Sequence, residues 1–248
     1  MSGEELSVPL SDPSRPATVK VTLVNGRITV QGYEGKEVMV ETNAQPGDLS
    51  GGKGRMRRIP MASGLSIEEE NNEVQIREDS PQRPTHLTIR VPHRTSLILH
   101  ATNESISVSE VEGDIEVDSV NGSVTLSNVS GAAIAHVQNG RVRATFKDIN
   151  PRKPMAFSSV NGDIDVSFPA DLKANLNLCS GNGEIYSDFE VKLEGSAGQL
   201  TGGARNQGGR YRIHLDKTIH GTIHGGGQEI QLTNLNGNIY LRKAGNGD

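Results

Sequence analysis

A nine-residue repeat between residues 102 and 146 constrains the fold of this chain more than any other feature. Five units follow one another, and their first apolar column contains Ile106, Ile115, Val124, Ala133 and Val142. A second apolar column lies two residues later and contains Val108, Val117, Leu126, Ala135 and Ala144. Residues two apart share one face of a strand, whereas a helix would need spacings of three and four. Each unit is therefore predicted to be a turn followed by a short, half-buried strand.

Asn-Gly pairs mark a longer period above the nine-residue unit. Successive asparagines are 18, 22, 21 and 54 residues apart, in pairs at 121–122, 139–140, 161–162, 182–183 and 236–237. Both residue types tolerate positive φ, which suits tight reversals. We expect one coil to span about two units, with the asparagines stacked at one corner and able to form a hydrogen-bond ladder. The predicted fold is all-β, a single-stranded β-solenoid (β-helix-like) of stacked short strands with Asn-Gly turns. A propeller is disfavoured because its period would be about 40–45 residues.

Composition limits both the core and the partners. The chain has 29 Gly among 248 residues, which indicates many tight turns, and it has no Trp with only four Tyr and four Phe. The core is therefore expected to consist of Val, Ile and Leu. A net charge of −5 gives no reason to expect nucleic acid or an acidic membrane as a partner. The single cysteine, Cys179, excludes an internal disulfide framework and a cysteine-based zinc site.

Residues 1–16 are interpreted as an N-terminal arm and residues 17–248 as a single β-solenoid domain. Two Gly-rich stretches within the domain, about 45–63 and 195–209, are predicted to be surface loops, where function often resides. No apolar run is long enough for a transmembrane helix, and no signal peptide is visible at the start. We expect an extracytoplasmic or envelope-associated location if such a peptide was removed, and a cytoplasmic location otherwise.

The first of these loops carries a candidate binding patch. Its Gly51–Arg55 segment has the glycines of a phosphate loop, but it lacks the Gly-Lys-Ser/Thr ending and the helix that should follow. Lys53, Arg55, Arg57 and Arg58 could instead form a small anion-binding patch. The alternative is a solvated loop without a ligand.

Outward-facing carboxylates are the residues that most suggest catalysis. Asp163 and Asp165 lie two apart on one strand face, and Asp114, Glu116 and Asp118 form a similar row. Glycoside hydrolysis requires two carboxylates about 5–9.5 Å apart. Any solvated strand shows the same pattern, however, and the chain offers few aromatic residues to bind sugars. We identify no nucleophile, acid–base pair or cofactor cradle, and we therefore expect no enzymatic activity and no cofactor.

The histidines and one glutamate run are poor metal ligands. His220 and His224 are four apart, which on a strand is about 13 Å and too far to share one ion; His214 lies upstream. Glu68-Glu69-Glu70 lacks the alternation and the central glycine of a calcium loop and is expected at a hairpin tip. Three other histidines are seven apart, an odd spacing that places neighbours on opposite strand faces: His86, His93 and His100. No metal site is predicted.

Several segments that recur in a fixed order carry a family resemblance. They are Val24–Tyr33, Leu87–Pro92 with Ser96–Leu99, the Asn-Gly series through Val160-Asn161-Gly162-Asp163-Ile164, Phe168–Leu172, and Leu235-Asn236-Gly237-Asn238-Ile239. Together they resemble the auto-transporter adhesin family, a bacterial family of poorly defined function with Asn-Gly-x-Ile repeats. The likeness covers roughly residues 17–248. It implies a β-solenoid that is exported or anchored at the bacterial envelope, with adhesion as a label, and it supplies no catalytic residues.

The function expected from these observations is non-catalytic. We expect a binding or scaffold protein, an adhesin-like domain of the bacterial cell envelope whose partner is an undefined protein or glycan. Self-association is a further option for the partner. Two alternatives stay open: a carbohydrate-active β-helix enzyme, which would be a polysaccharide lyase or hydrolase, and an intracellular scaffold that assembles end to end through its terminal coils.

Overall fold

The computed structural model describes residues 4–42, 65–78, 85–194, 200–201, 214–215 and 218–245. These residues form strands and turns, and none of them belongs to a helix that could cross a membrane. The prediction of an all-β fold is confirmed. The strands are β1 (Glu4–Pro9), β2 (Ala17–Asn25), β3 (Ile28–Tyr33), β4 (Glu37–Thr42), β5 (Leu65–Glu70), β6 (Glu73–Glu78), β7 (Leu87–Pro92), β8 (Thr95–Asn103), β9 (Ile106–Ser109), β10 (Ile115–Asn121), β11 (Val124–Gly131), β12 (Ala133–Asn139), β13 (Val142–Ile149), β14 (Met155–Asn161), β15 (Ile164–Phe168), β16 (Ala174–Asn182), β17 (Ile185–Ser187), β18 (Lys192–Leu193), β19 (Leu200–Thr201), β20 (His214–Leu215), β21 (Thr218–Ile223), β22 (Gln228–Asn236) and β23 (Ile239–Lys243).

The strands form two large mixed sheets and one small sheet. Sheet A has the order β1-β4-β7-β3-β9-β11-β13-β15-β23-β17, and sheet B has the order β18-β21-β16-β22-β14-β12-β10-β8-β2-β6-β5. Strands β19 and β20 pair separately from both. The central strands of each sheet are parallel. Antiparallel strands lie at both ends of sheet B and at the β1 end of sheet A, whereas β17 at the other end of sheet A is parallel to β23.

From β6 to β18, sheet B strands alternate along the chain with sheet A strands. At seven places in the described structure only two residues separate a sheet B strand from the sheet A strand that follows it. We call such a pair a coil; the seven coils of this form are β2–β3, β8–β9, β10–β11, β12–β13, β14–β15, β16–β17 and β22–β23. The stack does not follow chain order at its ends. Coil β2–β3 lies between β6–β7 and β8–β9, and coil β22–β23 lies between β14–β15 and β16–β17. Nothing in the repeat itself reveals these two insertions.

An asparagine ends the sheet B strand of every coil, and the seven side chains form one ladder. Six hydrogen bonds join them, and in each the side-chain amide of one asparagine donates to the Oδ1 atom of the asparagine in the adjoining coil, over 2.7–3.1 Å. The order of the ladder is Asn25, Asn103, Asn121, Asn139, Asn161, Asn236 and Asn182. Asn236 therefore stands between Asn161 and Asn182, as the insertion of β22–β23 requires.

The residue after each of these asparagines is glycine in six coils, because the corners stack backbone against backbone. At Gly162 the φ angle is +144°, and an added Cβ would lie 2.2 Å from the Gly140 oxygen. The seventh coil has Glu104 at this position, with a φ of +111°. Residues other than glycine rarely adopt such a φ. The corner therefore favours glycine both because of this backbone conformation and because there is no room for a Cβ atom.

Asn139→Ala is expected to lower the free energy of unfolding by about 1–2 kcal/mol. The substitution removes two ladder hydrogen bonds, to Asn121 at 2.9 Å and from Asn161 at 2.7 Å, and a net bond contributes about 0.5–1.5 kcal/mol. Urea unfolding of the purified chain measures the change. Gln138→Ala, at the exposed neighbouring position, is the control and should change stability by less than about 0.5 kcal/mol. Equal effects of the two substitutions would contradict a stabilising ladder.

The core lies between the two sheets and is built from the inward residues of every coil. Both apolar columns of the nine-residue repeat are buried, from Ile106 to Val142 and from Val108 to Ala144. Val, Ile and Leu predominate, as the composition indicates, but the core also has an aromatic centre that the sequence reasoning did not expect. Phe146 stacks on Phe168 at 5.2 Å and meets Phe157 edge-on at 6.1 Å, and all three side chains are fully buried.

The N-terminal segment is tied to the end of the stack. Strand β1 lies within residues 1–16, the predicted arm, and pairs with β4 at the edge of sheet A. Glu69 accepts hydrogen bonds from the Ser11 N–H and hydroxyl, both at 3.0 Å, and from the Asn72 N–H at 2.9 Å. Antiparallel end strands and such contacts close the stack at this end.

Candidate binding surface

A row of four side chains crosses the outer face of sheet A. Each is the third residue after an Asn-Gly glycine: Arg143 on β13, Asp165 on β15, Tyr240 on β23 and Tyr186 on β17. Strand register places them side by side in that order. We call this set, with Arg242 from β23, the arginine–tyrosine row. It brings cations, a carboxylate and two aromatic rings onto one flat surface.

Asp165 is held by arginines on both sides. Its Oδ1 accepts from the Arg242 Nε at 2.7 Å, and its Oδ2 lies 3.5 Å from an Arg143 Nη. The residue is buried, whereas both arginines are exposed. Burial of a carboxylate is tolerated when it is paired and hydrogen-bonded, and the bond to Asp165 raises the pKa of Arg242 further above its usual range. Asp165 therefore anchors the guanidinium groups at the surface.

Asp163 is engaged in the same way in the neighbouring row. Its Oδ1 accepts from the Asn238 N–H at 2.9 Å, and its Oδ2 lies 3.4 Å from an Arg141 Nη. All four oxygens of Asp163 and Asp165, the two carboxylates that most suggested catalysis, thus have partners within the protein. Contacts of this kind are typical of structural ion pairs.

Two tyrosines continue the row to the edge of sheet A. The rings of Tyr240 and Tyr186 stack with centroids 5.2 Å apart and an interplanar angle of 8°. The Arg242 guanidinium lies 5.2 Å from the Tyr240 ring centroid and is bonded to β15, on the opposite side of β23 from β17. The Tyr240 ring is therefore sandwiched between a cation and a second ring, an arrangement that the electron-rich faces of tyrosine favour.

The hydroxyl groups of both tyrosines are also fixed, by hydrogen bonds. The Tyr186 hydroxyl donates to the Glu184 carboxylate, and the Asn238 side-chain amide donates to the Tyr240 hydroxyl at 3.0 Å. The hydrogen bond to Glu184, together with the negative charge of that carboxylate, raises the pKa of Tyr186 above its ordinary value of 10.0. Both rings are fixed at two points, by stacking and by hydrogen bonds.

Glu184→Gln is expected to lower the pKa of Tyr186 toward its ordinary value. A neutral amide still accepts the hydroxyl hydrogen bond, but it does not oppose the negative charge of a phenolate. Ultraviolet titration of the tyrosines in the wild type and the variant measures the shift, with Tyr186→Phe to assign the curve. A glutamate at the opposite end of sheet A, Glu41→Gln, is the control and should leave that curve unchanged. An unmoved Tyr186 titration in Glu184→Gln would contradict the contact.

The two predicted loops lie largely outside the described residues. Lys53, Arg55, Arg57 and Arg58 lie outside the described residues, as does the whole 45–63 loop. The 195–209 loop is described only at strand β19, which pairs with β20. The anion patch stays a prediction.

The other three candidate carboxylates, Asp114, Glu116 and Asp118, lie on the outer side of sheet B or beside it. Asp114 forms an ion pair with Lys153, and Asp118 lies 3.1 Å from the Nδ1 of His100. Glu116 is exposed between them on β10. Asp114 directly precedes β10 and Glu116 and Asp118 lie on it at alternate positions, and Asp114 and Asp118 are engaged by different partners.

The candidate histidines lie apart from one another, and those with hydrogen bonds have different partners. His93 Nδ1 lies 2.7 Å from the Glu110 carbonyl oxygen, and His224 Nδ1 lies 2.7 Å from the Leu172 carbonyl oxygen. His86 Nδ1 accepts from the Arg27 N–H at 3.2 Å, and His220 is exposed on β21. Among the residues that the structure describes, no three His, Cys, Asp or Glu side chains are close enough to hold a metal ion.

Sheet B presents a different outer surface. A groove of about 620 Å³ runs across its strands, with Val24, Val120 and Val160 beside His100 and Asp118. Exposed aliphatic side chains are concentrated on this side, namely Val24, Val120, Ile134, Val160 and Leu235. The two outer faces thus differ: sheet B carries exposed aliphatic side chains among polar ones, and sheet A carries the arginine–tyrosine row.

Sequence reasoning singled out Asp163 and Asp165 but missed the arginines and tyrosines around them. A signal was present, since aligning the Asn-Gly-x-Ile/Val-x motifs places Arg143, Asp165, Tyr186 and Tyr240 in one column. A residue at the same position of stacked coils lies at the same place on the surface. The Asn-Gly-x-Ile/Val-x motif thus indicates the position of the candidate surface as well as the positions of the turns.

The fold and its surface define a class, an all-β domain of stacked coils with two chemically distinct outer faces. The chain belongs to the Toastrack DUF4097 family, a family of unknown function whose model matches residues 95–242. That range runs from the first residue of β8 to Arg242 of β23. The match places the chain in a family with a β-solenoid-like fold, while the likeness to the auto-transporter adhesin family remains a resemblance.

Two further comparisons complete this result. No curated protein matches the chain. A crystal structure of a "putative cell adhesion protein" from Clostridium sporogenes is similar over 97% of this chain and 99% of that one, with 10% identity and a TM-score of 0.43. A likeness at this level carries no argument about function.

Proposed function

We propose that this chain is a non-catalytic binding protein of the bacterial cell envelope, adhesin-like in its role, and that the arginine–tyrosine row is its binding surface. The observation that carries the proposal is the engagement of both carboxylates: each oxygen of Asp163 and Asp165 already has a protein partner. Glycosidase chemistry needs one carboxyl group to transfer a proton and another to attack or to activate water. Carboxylates tied to arginines are poor in both roles.

The same contacts suit binding. Exposed guanidinium groups and a stacked tyrosine pair are held in place before any ligand arrives, which reduces the ordering cost of association. Arginine and tyrosine, with tryptophan, are the side chains most enriched at energetically important contacts. The envelope location is inferred from the family resemblance alone.

An intracellular scaffold that assembles end to end is the alternative. It would pair the edge strands of successive copies, but β5 places exposed Glu68 and Glu70 at one edge of sheet B. Charges on an edge strand oppose pairing with another chain. The strand at the opposite edge of sheet B, β18, has only two residues. End-to-end pairing through the edges of sheet B is therefore disfavoured, and a constant molar mass across a wide concentration range in light scattering would exclude assembly by either sheet.

Two experiments test the proposal. First, protease shaving of intact cells, followed by detection of the native product, should cut the protein from outside; protection inside intact cells, with recovery only in the cytosolic fraction, would overturn the envelope assignment. Second, the purified chain should be retained by insoluble envelope preparations without releasing sugar products. Turnover of any polysaccharide that Asp163→Asn abolishes would overturn the non-catalytic assignment.

A further inference from the structure

Tyr186 is the end of the arginine–tyrosine row. Strand β17 is the last strand of sheet A on this side, and β23 lies on its other side. One face of the Tyr186 ring is covered by Tyr240, so the opposite face points away from the sheet. The residue is 47% exposed, although neighbouring Ile185 and Phe189 are partly or fully buried. A flat aromatic face is thus presented to solvent at the sheet edge.

The ring is rigid before any ligand binds. Its hydroxyl is bonded to Glu184, and the Glu184 N–H donates to Asn238 Oδ1 at 3.0 Å. The ring behind it, Tyr240, is held by Asn238 and Arg242. A ligand that stacks on Tyr186 would lose little affinity to ordering of the protein, because two hydrogen bonds and one stacking contact already fix the platform.

We propose, resting on the function proposed above, that Tyr186 stacks against the apolar face of a neutral pyranose ring in an envelope glycan. The face of an aromatic ring carries negative charge density, which attracts the weakly positive C–H groups on one face of a pyranose. Glu184 lies at the rim of the platform and is a strong acceptor for sugar hydroxyls. Asp188, exposed two residues beyond Tyr186, offers a second carboxylate.

The charges near Tyr186 select a neutral sugar over an acidic one. Glu184 is bonded to Tyr186 itself, and Asp188 follows on the same chain segment. The nearby cations are engaged elsewhere: Arg143 and Arg242 are paired with Asp165, and the Lys243 ammonium lies 5.4 Å from the Phe189 ring centroid. Asp188 interacts with Arg242, whereas Glu184 forms no ion pair with the described residues and is bonded to Tyr186 itself. A uronic or sialic acid carboxylate at the platform would therefore face the charge of Glu184, which disfavours its binding.

The test uses the purified full chain with soluble neutral oligosaccharides of glucan, mannan and chitin type, and polygalacturonate as the acidic comparison. Titration calorimetry or NMR shifts should detect binding of at least one neutral series and none of the acidic polymer. Tyr186→Ala should weaken that binding roughly tenfold or more, a difference of about 1.4 kcal/mol, while Tyr186→Phe should retain it. Leu6→Ala, which removes an equally exposed apolar side chain at the opposite edge of sheet A, is the control and should have no effect.

Retention on envelope preparations separates failure of this inference from failure of the proposed function. Competition by a neutral oligosaccharide, lost in Tyr186→Ala, supports the sugar platform. Retention that protease treatment of the envelope removes and sugars do not affect overturns the platform, but it leaves an envelope-binding protein. Neutral-sugar binding that is unchanged in Tyr186→Ala also overturns it. Absence of any retention overturns both proposals.

Discussion

Phe146→Ala is expected to destabilise the protein by about 3–5 kcal/mol, the usual cost of removing a fully buried phenylalanine. The side chain touches Phe157 across the space between the sheets and stacks on Phe168 in the adjoining strand. Its loss would leave a cavity at the only place, among the described residues, where three aromatic rings meet in the core. Neighbouring β-strands are hydrogen-bonded on both sides and cannot collapse far into that space. Equilibrium unfolding in urea gives the change in free energy.

The matched control for this cavity is Val120→Ala. Val120 is 40% exposed on the outer face of sheet B, so its truncation should change stability by no more than about 0.5 kcal/mol. Phe146→Leu should fall between the two, since leucine refills part of the volume. A loss below about 1 kcal/mol for Phe146→Ala would show that the aromatic centre is not a main source of stability.

Gly162→Ala is expected to destabilise the protein by roughly 3 kcal/mol. The φ of +144° is unfavourable for alanine, at a cost of about 1–3 kcal/mol. The new Cβ would also lie 2.2 Å from the Gly140 oxygen, a backbone atom that can move only if the corner of the next coil moves. Forced contacts of this kind cost a further 1–3 kcal/mol or so. Urea unfolding again measures the result.

Glu104→Gly is the matched control because Glu104 occupies the same corner position in coil β8–β9. Its φ of +111° is one that glycine adopts readily. The exchange should therefore leave stability unchanged or raise it slightly, opposite in sign to Gly162→Ala. Destabilisation of similar size by both substitutions would contradict the account of the corner as a position that favours glycine.

Much of the fold follows from the sequence, because the physics involved is local. Alternating Ile106 and Val108, or Val124 and Leu126, can bury one face only as strands, and all four are buried. The order of the coils is different. Each corner asparagine can form the same side-chain hydrogen bond with any neighbouring asparagine, so the chemistry of Asn161 does not distinguish Asn182 from Asn236 as its partner. The position of coil β22–β23 in the stack depends on how the side chains of complete coils pack against each other. The 54-residue spacing between Asn182 and Asn236 carries no information about that packing.

For the candidate surface, too, the sequence predicts which residues belong together but not the order in which they lie. Motif position alone could have grouped Arg143, Asp165, Tyr240 and Tyr186. In chain order, however, Tyr186 would lie between Asp165 and Tyr240, and Tyr240 would be the exposed ring. The insertion of β23 between β15 and β17 reverses these roles. The aromatic core escaped prediction for a related reason, since a low aromatic content does not say whether the few rings are gathered at one place.

The insertion of coil β22–β23 has a consequence for biosynthesis. Strands β14 and β16 both pair with β22, yet β22 is translated after both of them. The growing chain therefore cannot complete the stack coil by coil as it leaves the ribosome. After β16–β17 emerges, that coil must either wait undocked or pair wrongly with β14–β15 and later be displaced. A repeat duplicated within β8–β15 would lengthen the domain without disturbing this step, whereas a repeat added after β23 could not pair with the coil that precedes it, because β22 and β23 are each paired on both sides.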